Sequence, residues 1–291
     1  MKKSNKFSFN FIITIILSVF TLIVMFAIYW VITTSLKDNS DFRKNFFGLP
    51  SVWMFENYIS VFENFVINVA RDGVILQVPL FPDIIVNSLL YTVGGSFVFT
   101  LTPCFVAYAV AKFDCKFSKF LYFIVIVTMA LPIIGNQPAM IDLLYSLGLF
   151  DNILGVWLQK FNFLGMYFLV FYASYKSLPK DYSEAAYIDG ASEWRVLLQI
   201  MFPLVKSIFL TIFVLHFIEL WNDYSVPVLY LPSHPTIAYG VWRMSNSVVT
   251  GMSTAPMKMT ACAIMVIPTI IIFLVFRERL MKNLSLGGLK E

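Results

Sequence analysis

Five stretches of this chain carry no charged side chain: residues 11–35, 84–111, 120–141, 161–175 and 259–276. A sixth apolar run, from Leu204 to about Val226, meets charge only near its ends. A helix needs about 20 apolar residues to cross the hydrocarbon core, and irregular backbone facing lipid cannot satisfy its polar groups there. Six spans fit. The run at 161–175 is short, so its helix must borrow a turn on either side or break its path. With 59% apolar and 13% charged residues among 291, and a mean hydropathy of +0.77, lipid is the expected solvent. The expected fold class is all-α, a polytopic membrane protein of six transmembrane helices.

The start, MKKSNKFSFNF, is basic like a signal peptide, yet the following run is too long and shows no small-residue cleavage site before Lys37, so it stays as the first span. Six spans put both termini on one side. That side holds Lys2, Lys3, Lys6, Lys112, Lys116, Lys119, Lys176, Lys180, Arg195, Lys206, Arg277, Arg279, Lys282 and Lys290, which is 14 of the 21 basic residues. Lys37, Arg43, Lys44, Arg71, Lys160, Arg243 and Lys258 fall on the other. By the positive-inside rule both termini are cytoplasmic, and the net charge of +4 is a topology signal that implies no nucleic-acid partner. The expected layout is a cytoplasmic N-terminus at 1–10, a transmembrane domain at 11–276 and a cytoplasmic tail at 277–291. Cys104, Cys115 and Cys262 form no CxxC pair and read as packing residues.

Residues 36–83 form a long outer segment, with FENYISVFEN at 55–64 reading as a short amphipathic helix and RDGVILQVPLFPD at 71–83 as a turn, a short apolar run and a Pro-limited entry to the second span. This segment is either a docking surface or a loop on the bilayer anchored by Trp53 and Phe55. Further outer segments are 142–160 and 227–256, the second bounded by Pro227 and Pro256. No internal repeat of the inverted-transporter kind stands out. In the third span, LPIIGNQP at 131–138 places Asn136 and Gln137 at membrane depth, as a pathway lining or as a proline kink near the outer interface. TVGGS at 92–96 resembles a potassium-filter loop without its Tyr, and close helix packing by Gly94, Gly95 and Ser96 explains it better.

The most charged connection between two spans is LPKDYSEAAYIDGASEWRVLLQIMFP, residues 178–203. Asp181 and Glu184 form a D-x-x-E capping box that starts a helix at about Tyr182. Gly190 stops that helix, and Ser192 caps a second one running through Trp194, Leu197, Leu198 and Met201 until Pro203 begins the next span. The first helix is only about 12 Å long by the usual rise per residue. Ala185 and Ala186 beside Glu184 present a small face suited to a groove in another protein. A plain interfacial turn joining two spans is the bland alternative.

The stretch EAAYIDGASEWRVLLQIMFP resembles the E-A-A-x-x-x-G…I-x-L-P pattern of ABC importer permeases, with Ile200 and Pro203 on pattern and Phe202 in place of the usual Leu. The resemblance covers nearly the whole chain and points to the carbohydrate branch, similar to the maltose-type G subunit. It is carried by ITTSLK at 32–37, FENY at 55–58, NSL at 87–89, AYAVAKF at 107–113, LGLFDN at 147–152, IDGAS at 188–192 and WNDY at 221–224. It implies a type I importer permease in a bacterial cytoplasmic membrane, with 179–203 as the coupling segment that docks on a separate ATPase. Glu184, Ala185, Ala186, Asp189, Gly190, Ile200 and Pro203 are its contact positions. The implied partners are a second permease subunit, two ATPase subunits, an extracytoplasmic sugar-binding protein and the sugar, with Asn136, Gln137, Glu219, Trp221, Asn222 and Asp223 as pathway candidates. The tail NLSLGGLKE resembles the family ending that reaches the ATPase, through Ser285, Gly287 and Lys290. No cofactor is expected in this subunit. ATP and Mg²⁺ belong to the ATPase, since the chain has no GxxxxGK[ST].

Other classes fare worse. An ion-coupled secondary carrier or channel needs ionisable groups at membrane depth, and five of the six runs have none. In the remaining run, HFIELWNDY at 216–224 spaces His216, Glu219 and Asp223 along one helix face, but two His in the chain and no second ligand helix argue against a metal. A hydrolase needs a nucleophile with a positioned base, and His234 beside Ser233 in LPSHP finds nothing nearby to complete a triad. Phe accounts for 30 of the aromatic residues and suits lipid-facing helices, so a sugar cargo follows from the resemblance alone. An importer of the same branch for a polyol or glycerol-phosphate is the remaining alternative.

Overall fold

The computed structural model describes residues 2–71, 73–131, 135–246 and 252–286. In chain order the elements are α1 (Lys2–Ser35), α2 (Asn39–Lys44), α3 (Glu56–Asn64), β1 (Val66–Arg71), β2 (Val74–Pro79), α4 (Leu80–Lys112, irregular at Phe81), α5 (Lys116–Ala130), α6 (Gln137–Ser146), α7 (Ile153–Gln159), α8 (Met166–Ser177), α9 (Asp181–Ile188), α10 (Glu193–Asn222), α11 (Ser225–Tyr230), α12 (Ile237–Asn246) and α13 (Ala255–Leu286). Among the described residues four helices are long and apolar enough to cross a membrane: Asn10–Ser35, Leu80–Lys112, Glu193–Asn222 and Ala255–Glu278. An 18-residue stretch of the first of them contains no buried residue, which leaves its apolar surface for lipid or for another subunit.

Two expected spans are shorter than their apolar runs. The run at 120–141 is helical only to Ala130, because Leu131 is extended, Gly135 turns with φ +85 and α6 starts afresh at Gln137. The run at 161–175 starts its helix only after Gly165, at φ +137, and borrows residues at its C-terminal end alone, as far as Ser177. Helices of 15 and 12 residues rise about 22 and 18 Å, short of a hydrocarbon core about 30 Å thick. The all-α expectation also needs correcting, since β1 and β2 pair into a two-stranded hairpin. Alternating burial along VINVAR and the open Gly73 at φ +79 account for it.

Two compact units emerge, and each has its own joints. Unit 1 comprises residues 1–67, 79–81 and 240–268. Its joint is the end of α1, where Asn57 Nδ2 donates to the carbonyls of Ser35 (2.8 Å) and Lys37 (2.9 Å), and the Tyr58 hydroxyl meets Ser35 Oγ at 2.8 Å. Thr260 Oγ1 adds a fourth side-chain bond, to the Ser35 carbonyl at 3.0 Å. The fully buried Lys37 donates its ammonium to the carbonyls of Asn45 and Phe46, which closes the loop around α2. The ITTSLK and FENY stretches are thus two halves of one hydrogen-bonded corner.

Unit 2 comprises residues 68–78, 82–239 and 269–291. One apolar core unites α4, α5, α8, α9 and α10 through Cys104, Tyr108, Val125, Phe168, Phe171, Ala186, Val196 and Phe209. A second core gathers Tyr91, Leu144, Val156, Leu220, Tyr230 and Leu231. Gly94 and Gly95 let the α4 backbone come close to its neighbours: a Cβ on Gly94 would lie 2.1 Å from the Trp157 ring, and one on Gly95 would lie 2.9 Å from Leu220. Close packing is therefore the right account of TVGGS. In α10 the expected break before Pro203 does not occur. A wide turn over Val196–Met201 precedes the proline, which lacks a donor and crowds the preceding turn, and the helix runs on unbroken.

Candidate functional site

The connection between α8 and α10 is built by local chemistry and then locked from outside. Chain enters α9 through Lys180, which already has helical dihedrals, so Asp181 is the first helical residue and the expected side-chain cap does not form. Asp181 and Glu184 instead lie in the first turn, where negative charge suits the helix dipole. At the other end Gly190 is left-handed at φ +77, Ala191 N–H donates to the Ala186 carbonyl and Gly190 N–H to that of Tyr187, a Schellman closure. Ser192 Oγ then accepts from the Arg195 amide at 3.4 Å and starts α10.

Two side chains fix the elbow. Tyr187 donates to Glu193 Oε2 at 2.6 Å, bracing α9 against α10. Lys112, at the last position of α4, donates to Ser183 Oγ and lies 5.0 Å over the Tyr187 ring. Burial first, and then the bond to Glu193, hold the Tyr187 hydroxyl well above the usual phenol range, so it remains a neutral donor. Ser183 and Ala186 are buried within unit 2. Ala186 therefore faces inward and does not share the small outer face expected with Ala185.

The outward face carries Asp181, Glu184, Ala185, Asp189 and Gly190, all exposed. With them stand three large apolar side chains: Ile188 at 86% exposure, Trp194 at 69% and Tyr182 at 50%. Ile200 packs against the core, and Pro203 is exposed on α10. This eight-residue helix thus leaves an isoleucine and a carboxylate uncovered within the chain. Of the tail positions, Gly287 and Lys290 lie outside the described residues, and only the helical backbone of Ser285 is described.

The far end of unit 2 holds the other residues singled out from sequence. Asp223 accepts from the Tyr91 hydroxyl at 2.7 Å and from the Ser225 amide and hydroxyl, which caps α11. Trp221 is buried and stacks on Phe217, Asn222 bonds back to the Ile218 carbonyl, and Glu219 is exposed on α10. Asn136 and Gln137 are exposed at the head of α6. His216 is fully buried, bonded to Thr100 at 2.9 Å and stacked on Phe99 at 4.0 Å. Among the described residues no group of three His, Cys, Asp or Glu could hold a metal ion.

Sequence reasoning missed Asp151. It accepts from the Ser233 amide and hydroxyl and lies 3.3 Å from His234 Nδ1, so a Ser, a His and an Asp do converge in LPSHP. They make no catalytic triad, because the Ser hydroxyl donates directly to the carboxylate and leaves no base between them. Asp151 is also the one non-glycine residue with positive φ, +58, among those described, and its amide donates to the Tyr230 carbonyl. The available signal was the Gly148…Asp151-Asn152 turn composition.

Comparison with known proteins fits this architecture. The diacetylchitobiose uptake system permease protein of Streptomyces coelicolor is 25% identical over 277 residues, covering 94% of this chain and 86% of the relative. An arabinooligosaccharides transport system permease protein of Bacillus subtilis is 25% identical over 295 residues, covering 100% and 99%. A crystal structure of a bacterial ABC transporter involved in import of the acidic polysaccharide alginate contains a chain of the same fold, with TM-score 0.74, 22% identity and coverage of 95% of this chain and 97% of that one. The family model for binding-protein-dependent transport system inner membrane components matches residues 100–285, well over half of the sequence. The chain belongs to that family, the membrane permease components of ABC transport systems.

Proposed function

We propose that this chain is one permease subunit of an ATP-driven importer that brings a sugar, of the oligosaccharide class, into the cytoplasm. The observation that carries the reading is the α9 elbow of a permease-family chain: a short helix braced by Lys112, Tyr187 and Gly190, with Glu184 and Ile188 turned outward. A rigid lever with an exposed contact face transmits force only if a partner grips it, and this chain carries no P-loop of its own. The partners in this reading are a second permease subunit, two ATPase subunits supplying ATP and Mg²⁺, and an extracytoplasmic sugar-binding protein. Relatives named for diacetylchitobiose and arabinooligosaccharides support a saccharide cargo.

The layout that suits this role has six crossings, α5 and α8 making the shorter two with help from neighbouring subunits. Residues 1–10, the 179–203 coupling segment and the 277–291 tail then face the cytoplasm, where 14 of the 21 basic residues gather. Glu184→Lys tests the reading. The variant should reach the membrane at normal abundance with unchanged thermal stability, since Glu184 is exposed. Sugar uptake should fall at least roughly tenfold, the factor that corresponds to about 1.4 kcal/mol of lost docking. Unchanged uptake at normal abundance would remove the coupling role.

A further inference from the structure

Behind α9 lies a pocket of about 400 Å³, lined among others by Tyr108, Lys112, Lys176, Lys180, Ser183 and Glu184. That volume is within the range of small-molecule sites. Three ammonium groups against the single Glu184 carboxylate leave the lining with net charge +2, counted from the residues that form it. Two carboxylates outside the lining act on this group: Glu193, which accepts from Tyr187 at 2.6 Å and bears on Tyr108, and Asp114, held below the usual carboxylate range by its bond to Lys119, with Lys176 and Lys180 adding to the same field. Lys119 faces Asp114 at 3.1 Å, so that carboxylate already has its own partner. Tyr108 is only 5% exposed, and its hydroxyl lies beside that of Tyr187 without a hydrogen bond of ordinary geometry. A buried hydroxyl left unsatisfied at the wall of a basic pocket calls for an acceptor.

Position narrows the ligand. Lys112 ends one candidate span and Glu193 begins another, so the pocket lies among span ends, where the chain leaves its apolar runs. Lysines at span ends reach for the headgroup layer with their ammonium groups. We infer that this pocket binds a phosphate ester, the headgroup of an anionic glycerophospholipid or a soluble phosphate ester of the same chemistry. Its oxygens accept from Lys176, Lys180 and the Tyr108 hydroxyl and give Lys112 a counter-charge. Because Lys112 also holds Ser183 and Tyr187, an occupied pocket stiffens the α9 lever; this regulatory consequence rests on the coupling role proposed above, whereas the binding itself does not.

The test uses the full chain purified from its membrane in mild detergent and reads bound species by native mass spectrometry. The probes are dioleoyl phosphatidylglycerol, zwitterionic dioleoyl phosphatidylcholine and glycerol 3-phosphate. The pair Lys176→Gln/Lys180→Gln should weaken phosphatidylglycerol binding roughly thirtyfold, the share of two lysines at a charged surface. The pair Lys116→Gln/Lys206→Gln removes the same charge from exposed positions outside the lining and should change it little. A preference for phosphatidylglycerol over phosphatidylcholine that depends on Lys176 and Lys180 establishes the lipid source. Glycerol 3-phosphate binding with that same dependence, and no lipid preference, establishes the soluble source. Equal effects from the two lysine pairs, or no effect from either, overturn the site. Ile188→Asp separates the two proposals, because it disrupts the outward face and leaves the pocket lining intact: headgroup binding that persists while uptake is normal removes the coupling role and keeps the site.

Discussion

The two ends of unit 2 are built from the same materials, short helices, a positive-φ residue and a few charged side chains, and they use them in opposite ways. Around Asp151 each polar group turns inward. The carboxylate collects the Ser233 amide, the Ser233 hydroxyl and His234, while Asp223 collects Tyr91 and the head of α11. Around α9 the polar groups that turn inward, Lys112, Ser183 and Tyr187, serve to hold a helix whose other face stays uncovered. The first end is a finished joint; the second is half of one. Within unit 2, an exposed Ile188 beside Glu184 marks the face on which the proposed function seats a partner.

That contrast breaks first at Asp151. Asp151→Ala removes the acceptor of three contacts and leaves the amide of Ser233, itself only 8% exposed, without a partner. It also forces alanine into the left-handed region at φ +58. Stability should fall by about 3 kcal/mol, given 1–3 kcal/mol for each buried donor left unsatisfied. Thermal unfolding of the purified protein checks this, and Asp151→Gly separates the causes, since glycine relieves the backbone but not the lost acceptors. A loss restored by glycine would make the joint a matter of backbone geometry alone.

A smaller effect is expected at the elbow. Gly190→Ala meets no atom within 4 Å, so the cost is conformational only, about 1 kcal/mol for a side chain at φ +77. If α9 acts as the lever proposed above, uptake should suffer more than stability. Equal losses of both would mean that the elbow only holds the fold together, as the Asp151 end does.

How much of this was legible depended on distance along the chain. Gly190 and Ser192 were readable because a helix stop and a helix start need only their own neighbours. The D-x-x-E cap was misread for an equally local reason: Lys180 enters already helical, and a cap residue must be extended. The apolar runs located α1, α4, α10 and α13, and LPIIGNQP and the short 161–175 run announced irregular paths, yet absence of charge says nothing about where backbone turns, so the end of α5 at Ala130 and the start of α8 after Gly165 were not readable. The alternation in VINVAR was visible, but it fell between the stretches read at 55–64 and 71–83. Pairings across the unit were beyond reach. Lys112 finds Ser183 71 residues away and Asp151 finds Ser233 82 away, and only helix packing decides which polar groups meet.

The finest test of the comparison is Tyr187→Phe. This change keeps the ring under Lys112 and deletes only the 2.6 Å bond to Glu193, which is exposed to solvent. A solvent-accessible hydrogen bond of this kind contributes about 0.5–1 kcal/mol, and water replaces it on the Glu193 side, so thermal stability should barely move. The hydroxyl nevertheless braces α9 against α10, the link through which motion of the short helix reaches the long one. If the braced elbow acts as a lever, Tyr187→Phe lowers sugar uptake per ATP hydrolysed while membrane abundance and unfolding temperature stay as they were. A matching fall in unfolding temperature would place Tyr187 with Asp151, among the groups that merely close the fold.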